Sequence, residues 1–319
     1  MTTTCLITGG CGFIGRHFTK KMVDLGYKVT VVDNLYSNSS LLPSKWSKHL
    51  LCEFEFINND IIDYLKTNNN SFDIIIHAAA IVGGRHTIET DPLLISYNIT
   101  IDNELFRWIE KHPVKNLIYF SSSAVYPLSL QTPEYHRKLK LEDIDILNNN
   151  IAIPDLTYGW SKLTGEFSLY ILSKRVDTTI SIYRPFSGYG EDQHDSYPFP
   201  SIMKKVLENK NSVEIWSDAV RDFVYIDDIV DYVLATCFHD KKIRILNIGT
   251  GISTSMSELA NIISNHLFNK DIHIKILDDK PKGVYYRVST ENSDYSWKNL
   301  KYGIQKSLEC NISNNKNNL

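Results

Sequence analysis

Tyr158 and Lys162 stand four residues apart in Thr157-Tyr-Gly-Trp-Ser-Lys162, so on a helix they share one face and the ammonium can sit close to the phenol. A tyrosine normally ionises near about pH 10, and a neighbouring Lys⁺ favours the phenolate, drawing its ionisation toward neutral pH. A phenolate in that range can accept the proton of a sugar or alcohol hydroxyl. Upstream lies Ser121-Ser122-Ser123-Ala124-Val125-Tyr126, where Ser122 or Ser123 can hydrogen-bond the same substrate oxygen. Tyr-x-x-x-Lys alone is common on amphipathic helices. It becomes specific when a serine run and a phosphate loop precede it in order.

The phosphate loop is Thr8-Gly9-Gly10-Cys11-Gly12-Phe13-Ile14-Gly15, a G-x-x-G-x-x-G between a β-branched run and a helical pattern. Gly9 suits the tight turn, Gly12 the close approach of a pyrophosphate, and Gly15 the packing of helix on strand. The helix start adds free N–H groups and a positive dipole end. Asp33 closes the next strand, where a carboxylate takes both ribose hydroxyls of an adenosine and repels a 2′-phosphate, which selects NAD over NADP. The nicotinamide cation would then add its charge to that of Lys162 in favouring the Tyr158 phenolate. Asp60 either hydrogen-bonds the adenine amino group or N-caps the helix that starts at Ile61.

Elements that could position these residues alternate through the first half. Cys5–Thr8, Lys28–Val32, Phe54–Ile57, Asp73–His77, Leu117–Ser121 and Thr179–Tyr183 read as strands, and Ile14–Asp24, Ile61–Lys66, Pro92–Lys111 and Tyr158–Lys174 as helices. The pattern predicts an α/β fold, a doubly wound parallel sheet of the Rossmann kind, over residues 1–184. Residues 185–319 predict a smaller C-terminal α/β substrate domain, with some segments returning to the first. A length of 319 residues with 43% hydrophobic and 22% charged residues excludes a disordered or fibrous chain. Lys and Arg number 34 against 37 Asp and Glu, so no basic surplus points to nucleic acid. No basic N-terminal leader and no run of about 20 apolar residues occurs, which predicts no membrane partner. The five scattered cysteines form no C-x-x-C pair, as in a reduced cytoplasmic protein without a metal site.

In these motifs the chain resembles the extended short-chain dehydrogenase/reductase family, in particular its nucleotide-sugar epimerases and dehydratases. The resemblance rests on Thr8 to Gly15, Asp33-Asn34, His77-Ala-Ala-Ala80, Asn98, Ser121-Ser-Ser123, Tyr158 to Glu166, Arg184-Pro185 and Arg221-Asp-Phe-Val-Tyr-Ile-Asp-Asp228. It implies that Ser122, three residues before Val125, is the catalytic serine, and that Asn98 supports Lys162 through water. It further implies that Ala78, Ala79 and Ala80 line the nicotinamide riboside and that Phe186 lies beside the nicotinamide. The cofactor set is completed by Phe13, Ile14, Asn34, Ile61 and Ser121. Arg221 matches the arginine that grips the sugar-nucleotide diphosphate, a role that suits planar guanidinium donors. Arg287 falls where several members carry a second one, or is a surface arginine. The family usually forms a homodimer through helices starting near Pro92 and Tyr158.

The departures from the family pattern concern the reaction. The 4,6-dehydratases carry Asp-Glu after the active threonine; here those positions are Ser123 and Ala124, which cannot exchange protons near neutral pH. The 3,5-epimerases place a cysteine at the Ala124 position. A substitute base could come from His86, His194 or Asp195. Ser187 replaces an asparagine of many hexose epimerases, and Pro198-Phe199-Pro200 departs from the usual substrate segment. What remains can oxidise a secondary alcohol and reduce it again, which predicts 4-epimerisation of an NDP-hexose with bound NAD. A net 4-keto reductase or a 3,5-epimerase/dehydratase is the alternative, and an NAD-binding sensor or scaffold is the non-enzymatic one.

Overall fold

The computed structural model describes residues 2–37, 39–83, 85–147, 152–277, 279–290 and 295–316. Aliphatic and β-branched runs form β1 (Thr4–Thr8), β2 (Lys28–Asp33), β3 (Glu55–Asn58), β4 (Ile74–His77), β5 (Asn116–Phe120) and β6 (Thr179–Pro185). They match the six expected strands to within one or two residues. The chain continues through β7 (Ser187–Tyr189), β8 (Ser212–Ile215), β9 (Val220–Arg221) and β10 (Phe223–Tyr225). Then β11 (Ile243–Ile248) returns to β6 and completes a seven-stranded sheet of order β11-β6-β5-β4-β1-β2-β3. All its pairings are parallel. The order reverses at β1, which pairs Thr8 with Val32 of β2 on one side and His77 of β4 on the other. A crevice at such a switch point, beyond the carboxyl ends of the strands, is where doubly wound sheets bind ligands.

Both faces of the sheet are covered, as parallel strands require. Alternation along β1 sends Cys5 and Ile7 into one apolar cluster and Leu6 into the other. Helix α1 (Phe13–Asp24) packs Phe18 and Met22 into the first. The second is filled from α2 (Ile61–Thr67), α5 (Asn98–Lys111) and α6 (Leu156–Ser173) by residues such as Leu65, Leu105 and Leu169. Short α3 (Arg85–Thr90) and α4 (Pro92–Ser96) lead into α5. The single helix expected over Pro92–Lys111 is therefore two. At Tyr97 the ladder tightens to i→i−3 bonds, Tyr97 N–H to the Leu94 carbonyl and Thr100 N–H to that of Tyr97.

The remaining chain forms α7 (Pro198–Glu208), α8 (Ile226–Thr236), β12 (Thr254–Ser255), α9 (Met256–Phe268), β13 (His273–Ile276), β14 (Tyr286–Arg287) and α10 (Leu300–Lys316). Strand β14 pairs with β9 in parallel and sets Arg287 directly beside Arg221. All five cysteines are reduced, with no disulfide between them. Among the described residues no helix is long and apolar enough to cross a membrane.

Candidate active site

The loop between β1 and α1 is shaped by contacts that leave no room for side chains. Gly9 has φ +68°, and a Cβ there would lie 2.6 Å from the Ala79 backbone. A Cβ on Gly15 would run into the carbonyl of Gly9 and the Cα of Gly10, whereas Gly12 faces open space apart from one contact with Gly9. Gly12 caps α1 without a side-chain hydrogen bond. The first N–H groups of α1 are thus presented to the cavity, ready for an anion. Asp33 holds the loop from beneath, its carboxylate accepting from the N–H of Cys11 at 2.9 Å and of Leu35 at 2.8 Å. Burial pushes its carboxyl up, against the hydrogen bonds from Leu35, Cys11 and Gly12.

A cavity of about 670 Å³ runs from this loop to the C-terminal segments, a size suited to small-molecule and cofactor sites. Gly9, Gly12, Phe13, Ile14, Gly15, Asp33 and Asn34 line its glycine-loop end with Asp60 and Ile61. Asp60 proves to be the N-cap of α2, accepting from Ile62 N–H at 2.9 Å with Oδ1, while its Oδ2 accepts from Asn34 at 3.0 Å. Ala78, Ala79 and Ala80 line the cavity too, as do Phe186 and Ser187. Cradle, uncapped helix start and strand-end carboxylate fit a dinucleotide.

Ser121, Ser122, Ser123, Tyr158 and Lys162 meet on the same wall. The Ser122 hydroxyl accepts from Ala124 N–H at 3.0 Å and lies beside the Tyr158 phenol. Ser121 turns away and donates to Glu166 at 2.5 Å. Burial pushes the Tyr158 phenol up, with Tyr197 and Asp102 adding to the rise and Ser122 opposing it. The lowering expected from Lys162 does not appear in the protein alone, where burial of the phenol dominates. Lys162 is buried with its ammonium 4.8 Å from the Tyr119 ring centroid. Asn98, expected at the lysine, lies outside the cavity lining; its amide bonds the Ile81 backbone at 2.6 and 2.9 Å.

At the far end Arg221 and Arg287 line the cavity side by side. Arg221 donates to the carbonyls of Val220 at 2.8 Å and Val284 at 2.9 Å. Its pKa is pushed down to about 9, by burial first and then by the charges of Arg287 and Arg85, against Asp155. It remains cationic at neutral pH. Arg287 is no surface arginine: it donates to Gln131 at 2.7 Å and to Asp155 at 2.8 Å.

Four residues at the site went unnoticed in the sequence. Arg85 and Asp155 form an ion pair at 2.8 Å beside Arg287, and no motif marks either. Gln193 lines the cavity with its amide oxygen buried and unbonded among the described residues. Tyr197 sets a second phenol near Tyr158, its only signal an aromatic-rich stretch. Of the proposed substitute bases, His194 bonds Ser196 and exposed Asp195 pairs with Lys204; neither lines the cavity. The side chain of His86 lies outside the described residues.

The family model for the NAD dependent epimerase/dehydratase family matches residues 5–249. A putative UDP-glucose 4-epimerase of Methanocaldococcus jannaschii is 28% identical, over 98% of this chain and 99% of its own. A UDP-N-acetyl-alpha-D-glucosaminuronate decarboxylase of Bacillus cytotoxicus is also 28% identical, over 89% of this chain and 87% of its own. The crystal structure of Thermus thermophilus UDP-glucose 4-epimerase in complex with NAD superposes with a TM-score of 0.76 at 19% identity, over 97% of this chain and 98% of that one. The fold is thus shared over nearly the whole length.

Proposed function

The chain belongs to the NAD dependent epimerase/dehydratase family, and from that premise we propose that it is a nucleotide-sugar 4-epimerase working with tightly bound NAD. The observation that carries this reading is the single cavity in which Ser122, Tyr158 and Lys162 lie between the glycine loop and the Arg221–Arg287 pair. Bound NAD supplies the redox chemistry at the sugar carbon. The loop of Gly9 to Gly15 and the start of α1 hold its pyrophosphate, Asp33 its adenosine ribose, and Lys162 its nicotinamide ribose. Tyr158 takes the proton of the 4-hydroxyl and later returns it; Ser122 orients that oxygen; Arg221 and Arg287 keep the diphosphate as a pivot while the 4-keto sugar turns over. Ser123 and buried Ala124 offer no acid or base for dehydration. The B. cytotoxicus relative has the same identity but a different reaction by name, so site chemistry rather than similarity favours epimerisation.

UDP-sugars are the first substrates to test, since both curated relatives act on them by name. Purified protein is incubated with a UDP-sugar panel without added cofactor, and products are resolved by NMR. Interconversion at C4 with no net consumption of cofactor is expected. In a parallel incubation with added NAD(P)H, its stoichiometric consumption would overturn this in favour of the reductase, and NAD binding without turnover of any sugar nucleotide would favour a sensor.

Assembly as a homodimer is supported by an apolar stripe on α6. Trp160, Phe167 and Ile171 are 45%, 44% and 45% exposed, and with half-exposed Thr164 they recur at helical spacing on one outer face. Five cysteines without a disulfide support a cytoplasmic location.

A further inference from the structure

Behind the cavity wall lies a buried polar chain to which the proposed mechanism gives no part. Thr8 ends β1 one residue before the glycine loop; its hydroxyl meets His77 Nδ1 at 2.6 Å and accepts from Ala79 N–H at 3.3 Å. His77 Nε2 meets Asp102 Oδ1 at 3.0 Å, and the Tyr119 hydroxyl donates to Asp102 Oδ2 at 2.5 Å. The Tyr119 ring then carries the Lys162 ammonium. Asp102 Oδ2 also approaches α6 so closely that a Cβ on Gly165, three residues past Lys162, would lie 2.8 Å from it. Asp102, His77 and Tyr119 are each at most 1% exposed. Buried carboxylates persist only when paired and hydrogen-bonded.

The charged groups around Lys162 divide cleanly. On α6, Glu166 is taken by Arg184 of β6 through two hydrogen bonds of 2.9 and 2.7 Å and by Ser121. From α5, Asp102 has no cationic partner within salt-bridge distance among the described residues apart from His77. His77 on β4 is held toward its neutral form by burial, against Asp102. Tyr119 on β5 and Tyr158 on α6 are both pushed up, chiefly by burial, and stay neutral. Asp102 is thus the anion left over for Lys162, and it stands one helical turn beyond Asn98.

We propose that Asp102 is the positioning residue for Lys162: it supplies the counter-charge that keeps the buried ammonium protonated over Tyr119 and available to Tyr158. The chain through His77 and Thr8 fixes this carboxylate to the strand end that carries the glycine loop. Charge directions agree. Burial pushes Lys162 down and Asp102 then Glu166 oppose it; burial pushes Asp102 up, but Lys162, His77 and Tyr119 together bring it below the usual carboxylate range. The proposal rests on the role given to Lys162 above.

The test reads the charge of Lys162 directly, by NMR of protein with isotope-labelled lysine side chains, NAD bound, the signal assigned with Lys162→Arg. In the wild-type protein the signal is expected to remain that of an ammonium through about pH 8. In Asp102→Asn its midpoint is expected to fall by about 1–3 pH units, the usual effect of removing a close opposite charge. Equal midpoints in the two folded proteins would overturn the proposal. Should Asp102→Asn fail to fold, the wild-type titration decides alone, and a Lys162 already neutral near pH 7.5 overturns it. Absence of sugar-nucleotide turnover would sink the functional reading without moving these titrations.

Discussion

Tyr158 sits in surroundings that oppose the ionisation its proposed role requires, since burial and the neighbouring Tyr197 both raise its phenol. The positive nicotinamide ring is the charge that would reverse this, because an opposite charge within a few ångströms favours the ionised form. The Tyr158 midpoint, read by ultraviolet difference spectroscopy against Tyr158→Phe, should therefore lie at least about one pH unit lower with oxidised than with reduced cofactor. Equal midpoints would leave the proton acceptor unidentified. The Phe variant itself should lose about 10²–10⁴-fold in kcat, with sugar-nucleotide binding retained in calorimetry. At this scale the sequence was readable where chemistry demands a residue type at fixed spacing, as for Tyr158, Lys162 and the glycines. Asp102, Asp155 and Arg85 were not readable: they act through pairings of side chains distant in sequence, such as Asp155 with Arg287. Asp60 shows a third case, where a cap and a cavity wall are the same residue and local preference could not choose between them.

The glycine loop works because α1 is tied down at its other side. Arg16 and His17, in the first turns of α1, both hold Asp192, which is 5% exposed, and Asp192 lies next to Gln193 in the cavity wall. Burial pushes the Asp192 carboxyl up, but His17 and Arg16 outweigh it and hold it well below the usual carboxylate range. A depressed folded-state pKa stabilises the fold above the unfolded value of about 3.9 and ceases to do so as pH falls through the folded value. Asp192→Asn should thus cost about 3–5 kcal/mol at neutral pH, the usual penalty for unpairing a buried ion. In thermal denaturation the gap to wild type should narrow as pH drops below about 4; a gap independent of pH would assign the loss to packing. Local signals sufficed for the strands and for α1, whose hydrophobic periods are regular. They failed at Pro92–Lys111, since a break at Tyr97 leaves the apolar period intact. They failed also at β11, because pairing with β6 is a contact between segments some 60 residues apart that no local pattern encodes.

Seen as one body, the chain divides its two ligand ends between strands of different origin. The glycine loop follows β1, whereas the arginine pair is built by β9 and β14 of a separate small sheet. Tyr158 and Lys162 on α6 stand between them, and the opposite face of that helix carries Trp160, Phe167 and Ile171. Singly exposed apolar residues are ordinary, but three at helical spacing on the helix that holds Tyr158 and Lys162 form a continuous surface, the kind that association covers. A second copy related by a two-fold axis would bury the stripe against itself, because a self-complementary patch closes in one step. Sedimentation at micromolar concentration should therefore give a dimer for the wild type and a monomer for Trp160→Glu combined with Phe167→Glu. Both changes lie on the outer face, away from the cavity lining, so bound NAD should be retained per chain while the melting temperature drops and becomes independent of protein concentration. A wild-type protein sedimenting as a monomer would remove the dimer, and the stripe would then need another partner.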